Sequence, residues 1–125
     1  MVLEEKLASR GSRGVGERGE ELALSHLLAE GYSLVERNYR TRYGEIDLIL
    51  ADGDCLVFVE VKLRRGVGFG DPAEAVTLRK QQTIRFIAEQ YIAEREPRFE
   101  EARFDVVGIL GSGSSADLRH IPNAF

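Results

Sequence analysis

Side chains that bind zinc are scarce in this sequence. Cys55 is the only cysteine among 125 residues, so the chain can form neither an internal disulfide bond nor a zinc site built from its own thiolates. His26 and His120 are the only histidines, too few to suggest a structural zinc site. Any metal bound here is therefore expected to be a hard cation with oxygen ligands.

The chain also has no long hydrophobic run. Because no stretch of about 18 apolar residues occurs, no membrane-spanning helix and no membrane partner are expected. Residues Met1 to Arg18 are charged and contain glycine, without the apolar core of a secretory signal. A cytoplasmic protein is the resulting prediction.

A surplus of positive charge is absent as well. The formal net charge is −4, which argues weakly against general nucleic-acid binding, because proteins of that class usually carry a basic surplus. With 43% hydrophobic and 30% charged residues, the composition fits one globular domain with a modest core. We expect residues 1–14 to form a flexible N-terminal arm and residues 15–125 to form a single domain.

Hydrophobic periodicity predicts helices and strands in a definite order. Apolar residues recur at helical spacing between about Gly16 and Glu30, and Gly31 supplies a helix stop. A second helix is expected after residue 71, with either Asp71 or Thr77 as its N-cap. Strands are predicted at residues 32–40, 44–50, 55–63 and 103–110, with a short edge strand at 118–121. The order α-β-β-β-α-β indicates an α/β or α+β fold in which helices pack on a sheet.

The second and third strands carry charges within otherwise apolar runs. Asp52-Gly53 between them predicts a two-residue type I′ turn, which pairs Glu45 with Glu60. In this register Asp47 is the diagonal neighbour of Glu60, with Cα atoms about 7 Å apart. Both project from the face that also carries Glu45 and Lys62. A symmetric four-residue loop gives the same pairing, whereas a three-residue loop would turn Asp47 to the opposite face.

A solvated ion pair at a strand end is the ordinary explanation for residues such as Glu60 and Lys62. Here, however, like charges face each other on an apolar surface, where an unpaired carboxylate is costly. A divalent cation held by Asp47 and Glu60, together with Lys62, would offset that repulsion. The pattern therefore favours a metal site at one end of the sheet.

Two further charged residues lie in line with the apolar stripes of the predicted helices. Glu20 continues the stripe of Ala23 and Leu27, so it is expected to point toward the sheet as a third carboxylate. A glutamate in the first turn of a helix also stabilises the helix dipole, which is the structural alternative. Lys80 interrupts the second helix, where a lysine commonly extends its ammonium group to solvent.

Several segments of the chain together resemble a known family. Asp47, followed on the next strand by Glu60-Val61-Lys62, matches the pattern Asp…(Asp/Glu)-X-Lys. The other segments are Gly16-X-X-X-Glu20-X-X-Ala23, Gly31-Tyr32, Arg37-Asn38-Tyr39-Arg40, Gly44–Ile49, Val57–Lys62, Lys80 and Arg103–Val107. The first pattern resembles the signature of the PD-(D/E)XK nuclease superfamily, with Ile46 in place of its proline. From about Gly16 to Leu110 the chain is similar to the YraN-like family, small bacterial proteins predicted to be endonucleases related to archaeal Holliday-junction resolvases.

That resemblance implies a restriction-endonuclease-like fold, a mixed β-sheet flanked by helices, with the active site on the hairpin. Mg²⁺ or Mn²⁺ is the implied cofactor. The implied site consists of Asp47 and Glu60 as catalytic metal ligands, Lys62 as the catalytic lysine, Glu20 and the Val61 carbonyl as further ligands, and Glu45 and Lys80 in support. Candidates for phosphate contacts, with a solvated surface as the alternative, are Arg37, Arg40, Arg42, Arg64 and Arg65.

The expected function is a metal-dependent DNA endonuclease that hydrolyses phosphodiester bonds, with branched, junction or single-stranded DNA as partner. The first alternative is a non-catalytic nucleic-acid-binding or assembly module on a nuclease scaffold, which the acidic net charge favours. The second is an interaction module whose carboxylates hold only a structural ion. Because cutting both strands of a junction needs two active sites, a homodimer is a further expectation.

Overall fold

The computed structural model describes residues 10–64, 72–111 and 117–125, with side chains from Arg18 onward. This part of the chain forms two α-helices, one 3₁₀ helix and five β-strands. In chain order they are α1 (Arg10–Ala29), β1 (Ser33–Thr41), β2 (Gly44–Asp52), β3 (Cys55–Arg64), the 3₁₀ helix (Pro72–Ala75), α2 (Leu78–Arg95), β4 (Glu101–Leu110) and β5 (Asp117–Ile121). The predicted order of helices and strands is confirmed, and the expected short edge strand is β5.

The five strands form one mixed sheet in the order β1-β2-β3-β4-β5. Neighbouring strands are antiparallel except β3 and β4, which run parallel. Because parallel neighbours cannot be joined by a tight turn, the chain crosses between them by way of α2. The architecture is therefore the mixed α/β sheet with packed helices that was expected.

Each face of the sheet is covered by one helix, which explains why β2 and β3 are apolar at nearly every position. On one face, Ile49 belongs to a core cluster with Ile87 of α2. On the other face, Leu50 belongs to a cluster with Leu27 of α1. Burial of each such side chain contributes about 1.5–3 kcal/mol, so the two cores hold the central strands in place. Within the described residues, neither helix combines the length and the apolar character needed to cross a lipid bilayer.

The helix boundaries refine the predictions in two places. α1 begins at Arg10 rather than near Gly16, so it includes residues that were expected to belong to the N-terminal arm. The rest of that arm, residues 1–9, lies outside the described residues. α2 begins after Thr77, whose side-chain oxygen accepts a hydrogen bond from the backbone N–H of Lys80 at 3.1 Å. Thr77 is therefore the N-cap of α2, and Asp71 lies outside the described residues.

The β2–β3 turn lies one residue further along the chain than predicted. Asp52 pairs with Cys55, so Gly53-Asp54 forms the turn and the predicted pairing of Glu45 with Glu60 is wrong. Gly53 has a φ of 60° and takes the first central position, where a type II′ turn needs glycine. The predicted type I′ turn placed this glycine second. The shift moves each cross-strand partner by two positions, so paired side chains still share a face.

Strand β2 breaks its regular alternation at Asp47. Ile46 packs in the core under α2, whereas Leu48 packs in the core under α1. In a regular strand, side chains two residues apart would share one face. The break lies opposite Asn38 of β1, whose φ of 53° is outside the extended region. Because Ile46 faces α2, its neighbour Glu45 faces α1, and the predicted common face of Glu45 with Glu60 and Lys62 is wrong.

Candidate metal centre

Asp47 lies where the pairing of β2 with β3 ends. The last paired residues are Leu48 and Val59, so the next position sets Asp47 opposite Glu60 rather than diagonally from it. Oδ2 of Asp47 accepts a hydrogen bond from the backbone N–H of Val61 at 2.7 Å. This bond holds the Asp47 carboxyl in the gap between the two strands.

Three carboxylates meet at this end of the sheet. Oxygen atoms of Glu20 on α1, and of Glu45 and Asp47 on β2, all lie within 4.8 Å of one another. We refer to these three residues as the carboxylate cluster. Asn38 connects two of them, because its Nδ2 donates hydrogen bonds to Oε1 of Glu20 at 2.9 Å and to Oε2 of Glu45 at 2.7 Å.

Asn38 is a site residue for which the sequence analysis assigned no role. Its φ is positive, and asparagine is among the few residues other than glycine that tolerate this conformation. Strand periodicity carries no information about such a residue. The only sequence signal was its type, an asparagine within a strand of charged and aromatic residues.

The Asp47 carboxyl is strongly perturbed. Burial, reinforced by the negative charge of Glu60 and then by Glu20 and Glu45, raises the pKa of Asp47 to about 8. The hydrogen bond from Val61 favours the ionised form but does not compensate. Negative charge on Asp47 is therefore unfavourable in the protein without a cation.

Asp105 on β4, which is fully buried, shows the opposite behaviour. Burial favours its neutral form, but hydrogen bonds with His120, Arg103 and the backbone N–H of Asn123 together hold the pKa of Asp105 below its usual value. This carboxylate is surrounded by donors that stabilise its charge. Asp47, in contrast, is surrounded mainly by other carboxylates.

Glu60 brings two lysines to the same place. Only 7% of this residue is exposed, and its Oε2 lies 3.7 Å from Nζ of Lys62 on β3 and 3.7 Å from Nζ of Lys80 on α2. Lys80 therefore makes an ion pair with the sheet instead of extending only to solvent. The two ammonium groups that were expected to be catalytic and supporting converge on one carboxylate beside Asp47.

The donors in the carboxylate cluster suit a hard divalent cation. They are carboxylate oxygens, the ligands that Mg²⁺ and Mn²⁺ prefer. Burial and the neighbouring negative charges raise the pKa of Asp47, and a bound cation would offset both effects. Glu60 is close enough to Asp47 to raise its pKa and is a fourth candidate ligand. Val61 contributes its N–H here, and a role for its carbonyl stays a prediction.

The arginines expected to contact phosphate lie in different surroundings. Nη1 of Arg37 is 2.8 Å from Oε1 of Glu21, on α1. Nε of Arg40 is 3.5 Å from Oε1 of Glu45, so Arg40 contacts the carboxylate cluster itself. Of these two arginines, Arg40 is the one placed to reach a ligand bound at the cluster.

Two of the remaining three arginines, Arg42 and Arg64, lie in the described part of the chain. Arg42 is exposed, and its guanidinium lies over the ring of Tyr43 with 5.0 Å to the ring centre. Arg64 donates a hydrogen bond from Nη1 to the neighbouring backbone carbonyl of Leu63 at 3.1 Å. Arg65 lies outside the described residues. Phosphate binding by any of the five stays a prediction.

Comparison with known proteins places the chain in a family. Residues 19–109, which include the carboxylate cluster, match the model of a family described as "Uncharacterised protein family UPF0102". The chain is 49% identical over 112 residues to a UPF0102 protein of Rhodococcus opacus, covering 89% of this chain and 95% of the relative. A UPF0102 protein of Nocardia farcinica is 51% identical over 114 residues, covering 90% of each chain. Another, of Dictyoglomus turgidum, is 42% identical over 116 residues, covering 91% and 98%.

Proposed function

The chain belongs to the uncharacterised protein family UPF0102, and we propose that it is a divalent-metal-dependent DNA endonuclease on a restriction-endonuclease-like version of the mixed sheet. The reaction is hydrolysis of phosphodiester bonds, with branched, junction or single-stranded DNA as the substrate. A cytoplasmic location and a homodimer with two such sites are parts of the same proposal. The observation that carries it is the carboxylate cluster, three acidic side chains within 4.8 Å of one another.

Stability alone does not account for this cluster. The protein surrounds Asp105 with a guanidinium group, an imidazole and a backbone donor. Asp47, in contrast, is buried beside three carboxylates, and burial together with their negative charge raises its pKa to about 8. Strongly perturbed acids in a cluster of this kind are typical of functional sites.

Glu20, Glu45 and Asp47 would hold Mg²⁺ or Mn²⁺, with Glu60 as a further candidate ligand. When bound, the cation would supply positive charge against the negative charge that develops on the phosphate during hydrolysis. The Asn38 amide and the Val61 N–H position the ligand carboxylates by direct hydrogen bonds. Such supporting bonds normally orient metal ligands and are themselves required for tight metal binding.

Lys62 and Lys80 supply the second source of positive charge. Both ammonium groups are held at 3.7 Å from Oε2 of Glu60. The Lys62 side chain is only 21% exposed, so its charge acts in surroundings with less water and a stronger electrostatic effect. A phosphate group at the cluster would lie within the field of both lysines, and their preorganised charge would stabilise the transition state.

The acidic net charge is compatible with a DNA substrate. The formal value of −4 includes the four carboxylates at this site, whose charge a bound divalent cation would reduce. Arg40, now paired with Glu45, would become available to phosphate when Glu45 binds a cation. Arg42 is exposed on the turn between β1 and β2 and is a second candidate for phosphate contact near the cluster.

The proposal is tested by incubating labelled branched, single-stranded and duplex DNA with the wild-type protein in Mg²⁺, in Mn²⁺ and in EDTA. We expect metal-dependent cleavage of at least one of these DNA forms. Asp47→Asn and Glu60→Gln should each lower the cleavage rate on the order of 100-fold or more, and Lys62→Met should do the same. Glu30→Gln, which removes an exposed carboxylate just after the end of α1, is the matched control and should cleave as the wild type does.

Cleavage that persists in both Asp47→Asn and Glu60→Gln would exclude this site as its source. Salt-dependent binding of DNA without turnover in either metal would instead support the non-catalytic nucleic-acid-binding module. Failure to bind any of the DNA forms at low salt would support the interaction module with a structural ion. Circular dichroism of each variant shows whether the fold is retained.

A further inference from the structure

Two aromatic side chains stand together on the surface beside the carboxylate cluster. Tyr43, in the turn between β1 and β2, and Phe86, on α2, form an edge-to-face pair with ring centres 5.0 Å apart and planes at 89°. Tyr43 is 47% exposed and Phe86 is 44% exposed. Large aromatic side chains gain much by burial, so an exposed pair of this kind is typical of a binding surface.

A groove runs from Tyr43 along the first turn of α2. This groove has a volume of about 320 Å³, and its walls include Tyr43, Glu45, Arg79 and Lys80. Glu45 is a member of the carboxylate cluster, and Lys80 is the lysine paired with Glu60. A ligand lying in the groove would therefore contact Tyr43, Glu45 and the lysine that pairs with Glu60.

Arginine side chains lie beside Tyr43 and along the groove. The Arg42 guanidinium lies over the Tyr43 ring, and its Nη2 donates a hydrogen bond to the Tyr43 hydroxyl at 2.8 Å. Arg79 is exposed on the wall of the groove. Tyr43 also borders a second groove of about 530 Å³, which Arg40 and Arg42 line as well. Exposed rings flanked by arginines combine a stacking surface with phosphate contacts, as in sites for single-stranded nucleic acid.

We propose that the Tyr43–Phe86 pair is a stacking surface for an unpaired base of a DNA strand whose backbone passes along the groove to the carboxylate cluster. The proposal rests on the function proposed above, because it takes the ligand of the site to be DNA. In a duplex, neighbouring base pairs cover both faces of each base, so a protein ring can stack only on a base that is unstacked. The substrate class is therefore single-stranded DNA or branched DNA with unpaired nucleotides at the cleavage site.

Binding to a base-free strand separates stacking from phosphate contacts. We would measure fluorescence anisotropy of a short oligothymidylate and of an abasic strand of equal length, in EDTA so that neither is cleaved. The wild type should bind the oligothymidylate more tightly. Tyr43→Leu and Phe86→Leu should each weaken that binding roughly 5- to 150-fold, as expected for loss of one stacked base, and leave binding of the abasic strand unchanged. Tyr43→Phe, which keeps the ring, should retain the wild-type preference.

A matched control distinguishes stacking from loss of exposed hydrophobic surface. Leu28→Ala alters a side chain on α1 that is 46% exposed and belongs to no ring pair, so it should bind both strands as the wild type does. Thermal melting of each variant verifies the fold. If both leucine variants keep the wild-type preference for the base-bearing strand, the stacking surface is refuted.

The results also separate this proposal from the endonuclease proposal. Equal affinity of the wild type for oligothymidylate and the abasic strand would refute the stacking surface and leave the endonuclease proposal standing. Base-dependent binding that is lost in the leucine variants, without cleavage in any metal, would support the stacking surface and refute the endonuclease. If the wild type binds neither strand, the stacking surface is refuted, and the cleavage assay with branched, single-stranded and duplex DNA in Mg²⁺ and Mn²⁺ decides the endonuclease proposal.

Discussion

Oδ2 of Asp47 accepts a hydrogen bond from the backbone N–H of Val61 at 2.7 Å, at the point where β2 and β3 stop pairing. A carboxylate thus enters the gap between two central strands. There it is close enough to Glu60 for the two charges to repel, and that repulsion adds to burial in raising the pKa of Asp47. Ionisation of Asp47 is therefore unfavourable between these strands, and a divalent cation would offset its cost.

Without divalent cations, the free energy of unfolding should fall as pH rises through the pKa of Asp47. That pKa is about 8 in the folded protein, above the value of about 3.9 expected in the unfolded chain. Between these two values the folded state binds a proton that the unfolded state has released, so stability falls as pH rises from about 4 to about 8 and levels off above the folded pKa. Asp47→Asn cannot ionise, so in EDTA at about pH 9 it should be more stable than the wild type by on the order of 1–3 kcal/mol.

Urea denaturation in EDTA at about pH 5, 7 and 9 would test this expectation. The difference between Asp47→Asn and the wild type should increase with pH. A variant that is less stable than the wild type at the highest pH would show that the Asp47 carboxylate stabilises the fold.

Asp105→Asn should have the opposite effect. The pKa of Asp105 is lowered in the folded protein, so its contribution to stability is present above the unfolded pKa and is lost as pH falls through the folded pKa. At pH 7 the substitution leaves Arg103 without its buried charged partner. A loss of about 3–5 kcal/mol is expected, which the same urea experiment would detect. A stability equal to that of the wild type at pH 7 would contradict this account of Asp105.

The sequence was sufficient for the secondary structure because its signals are local and redundant. Apolar runs at residues 44–50 and 55–63 are long enough to require central strands, and the stripe of Ala23 and Leu27 is enough for a helix. The register of the β2–β3 hairpin could not be predicted from such local signals. Asp52, Gly53 and Asp54 allow two turns that differ by one residue, and both leave every apolar side chain on its correct face.

Substitutions of Asn38 should separate its backbone role from its hydrogen bonds. Asn38→Gly accepts the φ of 53° but loses both amide bonds, whereas Asn38→Ala loses the bonds and also adopts an unfavourable φ. We expect Asn38→Ala to be less stable than Asn38→Gly by about 1 kcal/mol. Both should bind Mn²⁺ more weakly than the wild type, because Glu20 and Glu45 lose the group that orients them. Thermal melting and Mn²⁺ titration of the two variants would measure these effects, and equal Mn²⁺ affinity in all three proteins would contradict the positioning role.

Gly108→Ala should destabilise the protein through a steric clash. A Cβ atom at Gly108, in β4, would overlap the ring of Pro72 in the 3₁₀ helix. Overpacking of this kind costs about 1–3 kcal/mol or more. Gly19→Ala is the matched control, because its Cβ would meet Ile109 at an ordinary 3.7 Å and alanine favours the helix by about 0.5–1 kcal/mol. Thermal melting should therefore show a lower midpoint for Gly108→Ala only, and equal midpoints for the two variants would contradict the clash.

The candidate site was only partly readable from the sequence. Asp47, Glu60 and Lys62 stood out because charges inside apolar strands are conspicuous, and Glu20 because it lies on an apolar helix stripe. The position of Glu45 was missed because the alternation of β2 changes at Asp47, opposite the positive φ of Asn38. Such a break depends on one backbone angle in the neighbouring strand, for which no periodic pattern exists.

The most direct test of the central claim is a calorimetric titration of Mn²⁺ into metal-free wild-type protein, Asp47→Asn and Glu30→Gln. If the carboxylate cluster holds a divalent cation, the wild type and Glu30→Gln should show the same saturable binding, and Asp47→Asn should lose it. Absence of Mn²⁺ binding in the wild type, or unchanged binding in Asp47→Asn, would contradict the claim that Glu20, Glu45 and Asp47 form a metal centre.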